Sequence, residues 1–348
     1  MTLSGPALRG GLLALAAAAL FGISTPLVQR AGRGIGPFAT AALLYAGAAL
    51  IGSWMRRPSE SEAALRRGDV PRLAWMAFFG AALGPVALAW GLQRTGAASA
   101  SLMLTLEAMF TAAWTYGLYR EAIGRRVWAA LLLLAAGAML LVLDRGRIGG
   151  TQALGLLAVG VATAAWGADN ALSRALAERD PGQVVFGKCA LGAVTTATLA
   201  FAAGEPVPGP AIALALLAIG AAGYGLSLRL YLLAQRAFGA VRTGSVFAFA
   251  PFIGAALAIV LGERSPGWGM VGGGALMLAG VVLHLTEAHR HEHAHDAIEH
   301  EHAHSHDDGH HHHDHAPMPA GPHSHRHRHD AVRHVHAHLP DAHHRHRH

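Results

Sequence analysis

The chain has 348 residues, of which 53% are hydrophobic and only 14% charged, where a soluble domain would carry roughly a quarter charged residues. The formal charge of +6 comes almost wholly from arginine, and Lys188 is the single lysine. The arginines sit in short links between apolar stretches rather than on a basic face interleaved with aromatics, which excludes a nucleic-acid partner and implies the lipid bilayer instead.

In chain order, ten stretches are long and apolar enough to be read as membrane spans: 9–29, 37–55, 73–93, 97–119, 127–144, 151–173, 183–203, 211–235, 240–262 and 267–286. The first, with Arg9 before an Ala/Leu run, resembles a signal peptide, but its apolar segment continues to Val28 and reads as an uncleaved helix. The links after spans two, four, six and eight carry Arg56, Arg57, Arg66, Arg67, Arg72, Arg120, Arg125, Arg126, Arg174, Arg179, Arg236 and Arg242. The opposite links are poorer in arginine, which predicts both termini in the cytoplasm of a multi-pass protein of the bacterial inner membrane. Cys189 is the sole cysteine, so no intrachain disulfide forms; ordinary packing explains it.

The sequence repeats itself. Phe21-Gly22 answers Trp166-Gly167, Gln93-Arg94 answers Gln235-Arg236, and Glu121 answers Glu263, at separations of 142 to 145 residues. Five spans per half is an odd number, so the halves are predicted to have opposite topology, the construction of many secondary transporters. The expected fold is an all-α polytopic membrane protein of ten helices in two inverted five-helix repeats, followed by a disordered tail. The expected divisions are 1–146, 147–287 and 288–348.

The aromatic-Gly pairs, the run Leu106-Glu107-Ala108-Met109-Phe110 leading to Tyr119-Arg120-Glu121, and Ala250-Pro251-Phe252 leading to Leu261-Gly262-Glu263 carry a family resemblance. Over nearly all of residues 9–286 the chain resembles the EamA family of the drug/metabolite transporter superfamily. The family pattern has a proline in both helices; Pro251 keeps it and Ala108 replaces it. The family also places a basic residue in its second and seventh spans; Lys188 supplies the latter, whereas Leu44-Tyr45 stands in the former. The resemblance implies export of amino acids, metabolites or drugs and gives a class rather than a substrate.

Charges at bilayer depth cost around 2.5–3.5 kcal/mol on insertion scales, so each is a functional candidate. Glu107, Asp169, Lys188 and Arg229 qualify. Glu107 is the deepest and suits proton binding or cation coordination, or else is neutralised by Lys188 or Arg229. Asp169 and Arg229 lie nearer their span ends, where snorkelling to the headgroups is the favoured reading. Gly80, Gly84 and Pro85 in span three match Gly220, Gly223 and Gly225 in span eight. Paired Gly and Pro interruptions point to a central site of broken helices, against the plainer reading of close packing through small residues. Trp90, Tyr224 and Tyr231 are candidate cavity residues, and Pro251 completes the pathway set.

Of 25 histidines, 24 fall between His289 and His348. The alternating sets His289, His291, His293, His295 and His300, His302, His304, His306, with the cluster His310, His311, His312, His313, are candidate ligands for Zn, Ni, Co or Cu. Binding would weaken as pH falls through about 6.5, where imidazole protonates. The segment lacks apolar periodicity and is expected to be disordered. His291-Glu292 to His295 and His300-Glu301 to His304 match the zinc-protease pattern HExxH, but alternation makes that match nearly automatic, and no helix or cleft surrounds it.

Three functions follow. The leading one is a secondary transporter, an exporter of a small solute, with a lean to divalent-metal efflux served by the tail. The alternative is export of amino acids or other organic metabolites with the tail as a metal buffer. The third is a metal-responsive membrane sensor without transport. The chain reads as a non-enzyme with no required cofactor, no Walker motif and no nucleic-acid partner; a homodimer stays open.

Overall fold

The computed structural model describes residues 5–55, 63–119, 124–176, 179–238, 240–263, 267–285, 290–295, 298–304, 323–329 and 332–337. Residues 5–285 of that set are helical apart from their links. The helices are α1 (Gly5–Ala31), α2 (Pro37–Trp54), α3 (Val70–Met76), α4 (Gly84–Leu92), α5 (Ala97–Met103), α6 (Leu106–Tyr119) and α7 (Arg125–Ile148). Then come α8 (Gly150–Ser173), α9 (Pro181–Ala202), α10 (Pro210–Gly220), α11 (Ser227–Phe238), α12 (Ala240–Phe247), α13 (Ala250–Val260) and α14 (Trp268–Leu285).

Among the described residues, seven helical stretches are long and apolar enough to cross a membrane: Leu8–Ala31, Pro37–Trp54, Arg67–Leu92, Arg125–Asp144, Gly150–Ser173, Pro181–Ala202 and Pro210–Ala234. They match seven of the ten expected spans. The other three are helical but interrupted or short. Span four divides at Leu104–Thr105 into α5 and α6, span nine divides at Ala248–Phe249 into α12 and α13, and the last is α14. Span four therefore breaks where span nine does, although Ala108 stands in place of the family's proline. The break does not need that proline.

The expected interruptions of spans three and eight take a specific form. Ala77–Leu83 joins α3 to α4, and Ala221–Leu226 joins α10 to α11, each as a π-helical segment. A π turn bonds each N–H to the carbonyl five residues back, widens the helix and is rare outside functional sites. The starts of the two segments are 144 positions apart, the period of the sequence repeat.

Bare backbone lets the helices approach closely. A Cβ at Gly220 would stand 1.9 Å from the Leu44 carbonyl oxygen, and one at Gly47 2.0 Å from that of Leu217, so α2 and α10 meet backbone to backbone. The main core runs through Leu44, Tyr45, Ala81, Leu88, Trp166, Val185 and Tyr224, while Leu12, Leu132, Val194 and Leu214 remain exposed. Apolar side chains outside as well as inside are what a bilayer demands.

β1 (Arg290–His295) pairs antiparallel with β4 (Val332–Ala337), and β2 (Ile298–His304) with β3 (His323–His329). Lack of apolar periodicity argued for disorder, yet His-x-His alternation has the two-residue period of an extended strand, and that local pattern prevails in the described tail residues.

The α2–α10 crossing yields a prediction. Gly220→Ala is expected to lower the melting temperature of the detergent-solubilised protein, by roughly 1–3 kcal/mol of overpacking. Gly160→Ala, whose nearest neighbour would be the Met103 methyl at 3.8 Å, is expected to leave it unchanged.

Candidate functional site

Within the first π segment the Gly80 carbonyl has no helix donor, because Gly84 N–H bonds to Phe79 O and Pro85 has no N–H. Gly80 O accepts from the Tyr45 hydroxyl at 2.5 Å and from Trp166 Nε1 at 3.0 Å. One donor comes from α2 and the other from α8. Gly80 also has no side chain, and a Cβ there would lie 2.1 Å from Asp169 Oδ2. Asp169 therefore seats against bare backbone. Its Oδ2 receives the ammonium of Lys188 at 2.6 Å, with both side chains at least nine-tenths buried. Asp169 Oδ1 is buried with no hydrogen-bond partner among the described residues.

This overturns the snorkelling expectation for Asp169. Asp169 lies inside the bundle because Lys188, 19 residues on, reaches back across the α8–α9 turn. Separately, either charge would be costly to bury; paired, they form a neutral unit. The Arg229 guanidinium donates to the Met55 carbonyl at 2.7 Å, at the end of α2.

Glu107 takes neither predicted cation. Asn170, the residue after Asp169, donates through Nδ2 to Glu107 Oε1 at 2.7 Å and stands 3.5 Å from Thr111 Oγ1. Among the described residues no cationic side chain lies within salt-bridge distance of Glu107. The break at Leu104–Thr105 puts Glu107 in the first turn of α6, with its own N–H bonded back to Leu104 O.

Aromatic rings close the other side. Phe21 meets Trp166 edge-on at 6.1 Å and Tyr224 at 6.0 Å, and lies 5.4 Å from Phe247. Tyr224 is 5.6 Å from Tyr45 and 6.3 Å from Trp166. The two aromatic-Gly pairs of the sequence thus contribute rings to one cluster. Gly223 of the second π segment fits against Ser24 of α1, 2.5 Å from where its Cβ would be, as Gly80 fits against Asp169 of α8.

The remaining pathway candidates divide. Gly84 belongs to the centre, since its Cβ would stand 2.7 Å from Trp166 Nε1, and buried Pro85 follows it. Pro251 is buried in the first turn of α13, where the neighbouring Ala250 carbonyl crosses α1 at Gly22. Tyr231 joins the edge of the cluster at 4.9 Å from Phe247. Trp90 does not join it: the Arg94 guanidinium covers its ring at 3.6 Å.

Sequence reasoning missed Asn170 and the role of Tyr45. The only signal for Tyr45 was its place where the family carries a basic residue. Among the described residues no three His, Cys, Asp or Glu side chains gather as a metal site. His291, His293, His295, His300, His302 and His304 lie on β1 and β2, whereas His289, His306, His310, His311, His312 and His313 lie outside the described residues.

Multiple apolar spans around a buried polar centre, with helix interruptions at matched positions, define a multi-pass membrane transporter. The chain belongs to the EamA-like transporter family, whose pattern matches residues 8–143 and again 153–286. An uncharacterized transporter of Methanothermobacter thermautotrophicus is 27% identical over 235 residues, covering 66% of this chain and 68% of its own. A solved crystal structure, 20% identical, superposes with a TM-score of 0.58 over 80% of this chain and 97% of its own, a likeness of fold alone.

The ion pair is tested by a double-mutant cycle. Lys188→Met leaves Asp169 buried without its partner and is expected to cost about 3–5 kcal/mol. Adding Asp169→Asn is expected to restore most of the lost thermal stability; a double variant no more stable than the single one would show that the two charges do not act as a unit.

Proposed function

We propose that the chain is a secondary transporter of ten helices in two inverted five-helix repeats, exporting a small organic solute that carries a positive charge. Two matches of the family pattern, the π segments one repeat apart, and the exchanged contacts Gly80–Asp169 and Gly223–Ser24 support the repeat. Solute passes between spans three, four, eight and nine as the halves rock around the centre.

One observation carries the substrate class. Lys188 neutralises Asp169, while Glu107 is answered only by an amide. A neutral amide leaves the carboxylate's charge uncompensated, so an ammonium group is its natural counterpart. The rings of Phe21, Trp166 and Tyr224 form one cluster and suit an apolar body or a cation over a π face. This reading favours the organic exporter over a path for bare metal, because Asn170 offers a hydrogen-bond donor to Glu107 rather than another metal ligand.

The test is export from cells or proteoliposomes of a panel of amines, amino acids and carboxylates. Glu107→Gln is expected to reduce transport of the cationic members tenfold or more, the loss of about 1.4 kcal/mol or greater in affinity, with folding unchanged. Equal transport of neutral and anionic members by both proteins would sink the assignment.

The metal-linked reading keeps one specific observation. The tail's register sets histidine opposite histidine at His291–His336, His293–His334, His300–His327, His302–His325 and His304–His323. Histidine at such density chelates divalent ions through imidazole, and one ion per opposite pair is the proposal. Titration of the full chain with Ni distinguishes this from loose chelation. His300→Ala with His327→Ala is expected to remove one ion, and His300→Ala with His325→Ala two; equal losses would show that pairing is irrelevant. Unchanged cellular metal content on truncation after Glu287 would leave the tail a buffer.

A further inference from the structure

Two glutamates of the second half repeat one arrangement. α9 ends on Gly204 and α13 near Gly262, both in the left-handed region at φ 66° and 96°. The next residue in each case is a glutamate whose N–H bonds back five residues, Glu205 to Ala200 O and Glu263 to Ala258 O. This is the Schellman closure of a helix end, which fixes the direction of the residue after the glycine.

Each glutamate is aimed at the start of a helix in the first half. Glu205 accepts from the backbone N–H of Phe38 at 3.2 Å and of Ala39 at 2.7 Å, at the start of α2. Glu263 accepts from the N–H of Ala98 at 2.8 Å, at the start of α5. Both helices have glycine at the N-cap, Gly36 and Gly96, with no side-chain cap of their own. The missing Cβ is the space the carboxylate fills: it would stand 2.0 Å from Glu205 Cδ and 1.8 Å from Glu263 Oε1. Free N–H groups and the helix dipole make these starts suited to a carboxylate. Here each cap is supplied by the other half of the molecule.

Further polar contacts gather at the same end. Arg30 donates to the Leu261 carbonyl, Gln29 to those of Leu92 and Thr95, and Gln93 to that of Ile35. We infer that Glu205 and Glu263 are paired gate latches, closing the end of the carrier away from the chain's termini and releasing together when solute leaves on that side. The inference rests on the transporter reading. It assigns the closed state to two Gly-Glu helix ends gripping two glycine-capped helix starts.

The measurement is a distance distribution between spin labels at Arg33→Cys and Val207→Cys, both exposed, in the full chain with Cys189→Ala. The parent is expected to give one short distance. Glu205→Ala with Glu263→Ala is expected to add a longer population of at least a third of the molecules. Gly36→Ala with Gly96→Ala is expected to do the same with both glutamates intact, because the extended backbone at Gly36 (φ −60°, ψ 149°) and Gly96 (φ −70°, ψ 147°) accepts alanine and only the carboxylate is displaced. Folded variants of either kind with the parent's single distance would overturn the latch. If the glutamate variants do not fold, the glycine pair decides. Opening is read without solute, so a protein that opens but exports nothing counts against the transport reading and leaves the latch standing.

Discussion

The ion pair of Lys188 with Asp169, pressed against the backbone of Gly80, is the contact on which the centre depends. Two charges enter the bundle only as a pair at hydrogen-bond distance, and Asp169 has room only because residue 80 has no side chain. The π winding of Ala77–Leu83 turns the Gly80 carbonyl to Tyr45 and Trp166. Three helices are thereby joined at one peptide group, and the aromatic cluster is anchored through two of its members.

The first half carries the same plan without the charges. Ser24 stands against Gly223 where Asp169 stands against Gly80, and Tyr45 occupies the place of Lys188 in the repeat. The second half therefore brings the ion pair, the first half sets hydroxyl groups at the matching places, and both contribute rings to the cluster.

The spans and the glycine interruptions were legible because both are local. Apolar length survives any tertiary arrangement, and matched Gly and Pro positions mark weak points of a helix wherever it packs. The pairings were not legible. Asp169 looked like a headgroup residue because its depth was judged from its own span, whereas the turn at Asp180–Pro181 brings Lys188 back over it. Glu107 was matched in expectation to a cation and is held by Asn170, a residue with no charge to draw attention. Glu263 stood out through its repeat partner Glu121; Glu205 did not, although Gly204-Glu205 has the same Gly-Glu signature.

The contacts at the centre and at the closed end differ in kind, and the difference bears on how such a protein moves. The central pair is buried, and separating it would leave two uncompensated charges in a medium of low dielectric. The end contacts are single carboxylates on helix starts and amide side chains on carbonyls, in part-buried loops where water can take over each bond as it breaks. Of the two sets, the end contacts separate at lower cost. In the proposed transport cycle, Gly80, Asp169 and Lys188 would then be the fixed point and the glycine-capped helix starts would swing free of Glu205 and Glu263. A pivot held by charge and a gate held by caps would let that cycle run without unpacking the core.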